Sequence, residues 1–199
     1  MSVIMVIKTN NIVILGADKR LSTYQNQFVS DENDKILVVN NHLALACAGN
    51  KAIQTALEID INKLEIDKES LFVEDATDTI CNLYEKFKNA NAEMILSYPF
   101  YAIIGGLDKN QNIKLMSVSY SHEKLNCTEV STNIMIFPPS DVSMQKCLEI
   151  FVRNYNLFTD QVIEKTVKDV SELSIVVSKS GNKWIYDNRS KQSTSIEFD

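Results

Sequence analysis

The sequence predicts an α+β fold: a four-layer αββα sandwich of two antiparallel sheets packed face to face, each flanked by a helix pair. Three observations predict it. The apolar runs near the start are continuous rather than alternating, as in strands covered on both faces. The hydrophobic period changes along the chain in the order strands, two helices, strands, two helices, strands. No internal repeat or linker divides the 199 residues, a length that suits one domain with a full core.

Residues 3–7 and 12–17 are short apolar runs around Asn10-Asn11, and asparagine tolerates the positive φ of a tight hairpin turn. A second strand pair, 36–39 and 42–48, turns on Asn40-Asn41. Ile53, Ala56, Leu57, Ile61 and Leu64 then recur at helical spacing, as do Ala76, Ile80, Leu83, Tyr84 and Phe87. Strands return at 100–105 and 113–120, with a weaker one over 127–135. Helical spacing reappears at Met144, Cys147, Leu148, Phe151, Val152 and Tyr155, then at Val162, Ile163 and Val167. Strands at 173–178 and 183–186 close a single domain over 1–187, leaving 188–199 as a loose polar tail.

Composition narrows the function. The net charge is −6 and the basic residues are scattered, so neither a phosphate backbone nor an anionic membrane finds a concentrated positive surface. No stretch is long and apolar enough to span a membrane, and the N-terminus lacks the basic region of a signal peptide. Cys47, Cys81, Cys127 and Cys147 never approach CxxC spacing, and His42 and His122 stand apart from any second ligand, so no metal or other cofactor is expected. The cysteines read as small, buried, reduced residues of a cytoplasmic protein.

Several ordered stretches carry a resemblance. Ser2–Ser22 aligns without a gap on the start of a mature proteasome β-subunit. Ser30-Asp31-Glu32-Asn33-Asp34-Lys35-Ile36 follows, then Leu45-Ala46-Cys47-Ala48-Gly49 ahead of a helix, then 100–106 with Leu107-Asp108. Together they make the chain similar to proteasome β-subunits and their bacterial relatives, which are N-terminal-nucleophile hydrolases. The Met-Ser start, without a propeptide, looks most like the small bacterial homologues.

The resemblance implies a hydrolase of peptide or amide bonds. Serine is small, so an aminopeptidase should remove Met1 and leave Ser2 with both a hydroxyl and a free α-amine. That amine, with an ordinary pKa of about 7.7–8.0, can take the hydroxyl proton without any histidine. By resemblance Lys35 lies beside the nucleophile, Asp18 orients the lysine, Arg20 helps fix the following loop, and the Gly49 N–H stabilises the oxyanion. Leu21, Cys47 and Lys51 match the primary side-chain pocket. Taken without the resemblance, Lys35 also suits a solvated strand start, Asp18 and Arg20 a surface ion pair, and Gly49 a turn. Lys51 suits either an acidic substrate group or solvent.

Two stretches depart from the family pattern. Ser131-Thr132-Asn133-Ile134 replaces a Ser-Gly-Ser-Gly-like run, and 167–171 stands for the loop where an Asp precedes Ser-Gly-Gly, with Asp169 as the stand-in. They keep two alternatives open: a catalytically inactive structural subunit, and an amidase or peptide transferase of the same superfamily. The implied partners are a peptide or protein substrate and further copies of the chain in a ring, with an ATP-dependent unfoldase left open.

Overall fold

The computed structural model describes residues 2–23, 25–64, 67–90, 96–121, 124–157 and 160–199. In chain order the strands are β1 (Ile4–Lys8), β2 (Ile12–Asp18), β3 (Leu21–Ser22), β4 (Phe28–Ser30), β5 (Ile36–Asn40), β6 (Leu43–Gly49), β7 (Phe100–Leu107), β8 (Ile113–Ser121), β9 (Lys124–Glu129), β10 (Ile134–Phe137), β11 (Gly181–Asp187) and β12 (Gln192–Phe198). The main helices are α1 (Lys51–Asn62), α2 (Val73–Asn89), α3 (Met144–Leu157) and α4 (Val162–Ser171).

Two five-stranded antiparallel sheets form among the described residues, ordered β10-β1-β2-β11-β12 and β5-β6-β7-β8-β9, with β3-β4 as a small hairpin beside them. Alternation along each strand sorts the side chains into three apolar layers. Ile4, Val6, Val13 and Leu15 of the first sheet meet Ala44, Ala46 and Ala48 of the second, with Trp184 among them. On the far side of β1, Val3, Met5 and Ile7 pack with Phe151, Ile163 and Val167 of the second helix pair. On the far side of β6, Leu43, Leu45 and Cys47 pack with Ile53, Leu57 and Ile80 of the first pair. Both faces of β1 and β6 are therefore buried, and this is why their sequences are apolar without alternation. The result is the predicted αββα sandwich.

Local chemistry sets the helix starts. The Asn50 side chain accepts from the Ala52 N–H at 3.0 Å to cap α1. The Asp75 carboxylate accepts from the Phe72 N–H at 3.0 Å at the start of α2. Gly16 lets α4 close on β2: a Cβ there would stand 2.3 Å from Ile163 Cγ2. Gly16→Ala is expected to cost about 1–3 kcal/mol in chemical denaturation. Combined with Ile163→Ala it should cost less than the two single changes added together; strict additivity would refute this contact as the cause.

The structure corrects three expectations. The weak strand over 127–135 is two strands, β9 and β10, in different sheets. The run 173–178 forms no strand: Asp141 accepts from Ser174 Oγ at 2.7 Å and from the Ile175 N–H at 2.9 Å instead. Residues 192–198, expected in a loose tail, form β12 along the full length of β11. Among the described residues no helix is long and apolar enough to cross a membrane.

Candidate active site

Ser2 lies two residues ahead of β1 and Asp18 ends β2, which places both at the first sheet. Lys35 precedes β5 and Gly49 ends β6, so both belong to the second. An ion pair joins the halves: Lys35 Nζ lies 2.8 Å from Asp18 Oδ2, with the side chains 3% and 0% exposed. Neither the solvated lysine nor the surface ion pair survives as a description of these residues.

Three backbone donors fix the Asp18 carboxylate. The Val3 N–H donates to Oδ1 at 3.0 Å, and the Arg20 and Ser178 N–H groups donate to Oδ2 at 2.9 and 3.4 Å. Lys35 Nζ meets the same carboxylate at 2.8 Å, the separation of a charge-assisted contact. Burial pushes the Lys35 pKa down from its ordinary value, and the charge of Asp18 opposes that shift. The Arg20 side chain turns elsewhere. Its guanidinium grips Asp31 at 2.8 and 2.9 Å, donates to the Ile175 carbonyl at 3.0 Å, and lies over the Phe28 ring. It thereby ties the β3-β4 hairpin to the 173–178 segment.

Beside this pair lies a cavity of about 310 Å³. Ser2, Lys35 and Gly49 line it, and so do Leu21, Cys47 and Lys51. All the predicted site residues except Asp18 thus border one space, and Asp18 sits behind Lys35. Ser2 is buried, and among the described residues its Oγ makes a long 3.5 Å contact with the Arg20 carbonyl. The Cys47 thiol is pushed up to about 12 by burial, so it contributes an apolar wall and no nucleophile. Gly49 has φ +93°, and a Cβ there would stand 2.2 Å from the Pro99 carbonyl oxygen. Among the described residues, no three His, Cys, Asp or Glu side chains gather where a metal ion could be held.

Asp169 does not reach this place. It lies in α4 and binds Arg153 at 2.6 Å and Asn154 at 2.9 Å. The residue that reaches Asp18 from the second half of the chain is Ser178, buried in the turn before β11. Its Oγ accepts from the Lys19 N–H at 3.1 Å and donates to the Ser180 carbonyl at 2.7 Å. The readable signal is Ser178-Lys179-Ser180-Gly181, a serine- and glycine-containing turn immediately before a strand. Taking 173–178 as that strand hides it. Met1, whose removal the expectation requires, and His122 lie outside the described residues.

The family model described as proteasome subunit matches residues 2–130. The chain belongs to the proteasome subunit family. The matched span runs from Ser2 through the first helix pair to the end of β9, and it includes Asp18, Lys35 and Gly49. The second helix pair, which completes the sandwich of this proteasome-family chain, lies beyond it. A search of curated proteins found no match.

Proposed function

We propose that this chain is a proteasome-type N-terminal-nucleophile hydrolase that uses Ser2, once Met1 is removed, on peptide or amide bonds. The observation that carries the reading is the common cavity of Ser2, Lys35 and Gly49, with Lys35 anchored on the buried Asp18. The neutral α-amine of Ser2 takes the proton from Oγ, and Oγ attacks the carbonyl carbon. The Gly49 N–H stabilises the developing oxyanion. The C–N bond breaks, the amine leaves with the proton, and a serine ester remains. Water then attacks the ester and frees Ser2. Lys35 supplies positive charge that lowers the pKa of the amine and keeps more of it neutral near pH 7. Leu21 and Cys47 form an apolar pocket for the substrate side chain, and Lys51 adds a cation to its wall. Family membership supports peptide substrates and an oligomeric assembly; a ring of identical copies in the cytoplasm, with or without an unfoldase, is the form we infer.

The test is the intact mass of the purified protein before and after a serine-reactive β-lactone. Loss of the Met1 mass and one adduct, absent from Ser2→Ala, are expected. The labelling rate should rise with pH through the amine pKa. Lys35→Met removes a neighbouring positive charge, so the midpoint should move to higher pH. Retained Met1 with no adduct would overturn the hydrolase reading and favour the structural subunit, which the altered 131–134 stretch also suits. Transfer of the acyl group to an added amine in preference to water would instead identify the transferase.

A further inference from the structure

Two sulfurs outside the lining of that cavity lie together. Cys81 in α2 and Cys127 in β9 are 46 positions apart in sequence, yet their Sγ atoms are 3.2 Å apart. Both are free thiols, Cys81 half-buried and Cys127 exposed, contrary to the expectation that every cysteine is buried. An S–S bond is about 2.05 Å long, so closure asks for an approach of about 1.2 Å, which small χ1 rotations supply. β9 is the edge strand of its sheet, and one of its flanks is free to adjust. The geometry points to a reversible dithiol–disulfide site at Cys81 and Cys127, oxidised by an uncharged hydroperoxide.

The surroundings decide the order of events and the class of oxidant. The Cys81 thiol is pushed up to about 12, chiefly by burial, then by its contact with Cys127 and by the charges of Asp78 and Glu85. Those carboxylates lie three residues before and four after Cys81, on the same helix face. Burial holds Cys81 protonated, and the carboxylates add to that and repel anionic disulfides, while a neutral peroxide meets no such barrier. The exposed Cys127 therefore reacts first. Its thiolate attacks the terminal peroxide oxygen, the S–O bond forms, the O–O bond breaks, and the departing hydroxide (from hydrogen peroxide) or alkoxide (from an organic hydroperoxide) takes a proton and leaves as water or alcohol. The Cys81 sulfur then attacks the Cys127 sulfenic acid. The S–S bond forms, the S–O bond breaks, and the hydroxide leaves as water with the Cys81 proton. Two thiols lose two electrons in all, and one peroxide gains them. The product ties the outer helix layer to the sheet edge.

Hydrogen peroxide treatment of the purified chain, followed by non-reducing digestion and mass spectrometry, tests the site. The expected product is a Cys81–Cys127 cross-linked peptide lacking two hydrogens, restored by dithiothreitol. The oxidised form should melt on the order of 5–10 °C higher, because a long loop is closed. Cys81→Ser should give no cross-link, and its Cys127 sulfenic acid should be trapped by dimedone. Cys47 and Cys147, whose thiols burial pushes up to about 12 and about 11, should stay unmodified and serve as internal controls. Over-oxidation of Cys127 without a cross-link, or the same melting shift in Cys81→Ser, would overturn the site. Ser2→Ala should oxidise like the parent, so this result is independent of the hydrolase reading.

Discussion

Asp18→Ala is expected to destabilise the fold by about 3–5 kcal/mol, a drop in Tm on the order of 10 °C. Lys35→Met is expected to cost less than half of that. The asymmetry follows from what each residue holds. Asp18 accepts from the N–H groups of Val3, Arg20 and Ser178, so its loss strands three donors and leaves the Lys35 ammonium buried without its counter-charge. Removing Lys35 leaves Asp18 still held by its three donors. The double change should be less damaging than Asp18→Ala alone, because an unpaired buried charge is then absent.

The pH dependence carries the same logic. Burial lowers the folded pKa of Lys35, so the fold binds fewer protons than the unfolded chain between that value and the unfolded one of about 10.4. Stability contributed by this group therefore rises with pH across that window. Without the opposing charge of Asp18 the folded pKa falls further and the window widens. Asp18→Ala should thus regain stability relative to the parent as pH climbs from about 7 toward about 10. Equal slopes for the two proteins in urea denaturation, or greater damage from Lys35→Met, would contradict the arrangement.

Gly49→Ala is expected to lower the rate of Ser2 labelling by at least about 100-fold, the size of losing one oxyanion donor. The added Cβ would meet the Pro99 carbonyl at 2.2 Å, and a backbone oxygen cannot rotate away as a side chain can. The positive φ at this position costs a non-glycine residue about 1–3 kcal/mol in addition. The turn must shift, and the start of α1 with it, because the Asn50 N–H also donates to Pro99 at 3.0 Å. Labelling per folded molecule, measured beside Tm, separates a displaced turn from an unfolded chain. A variant that folds like the parent and labels at the parent rate would show that this backbone has no part in the reaction.

The sequence was most legible where burial is two-sided. β1, β2, β5 and β6 hide apolar side chains on both faces or turn on asparagine pairs, and all four lie where periodicity placed them. The placement of the candidate site residues was legible for the same reason, since Asp18, Lys35 and Gly49 are fixed at or beside the ends of these strands. β12 was not legible because it is an edge strand whose side chains mostly face water, so pairing with β11 leaves no hydrophobic trace. The break between β9 and β10 was hidden because a polar crossing from one sheet to the other reads like a weak strand. Segment 173–178 misled in the opposite sense. Val176 and Val177 are buried, but the surrounding backbone is held by Asp141 and Asp18 rather than by a neighbouring strand.

The alanines on the inner face of β6 have a consequence beyond packing. Half of the site rides on each sheet, and Ala44, Ala46 and Ala48 set how closely the sheets approach. The thickness of this interior layer is therefore the jaw setting of a caliper whose tips are Ser2 and Gly49. A single methylene added or removed there changes the bite without altering any residue that touches a substrate. A chain with the same tips and a thicker or thinner interior layer would therefore differ in reach, so the span between them is set in the interior and not only at the opening.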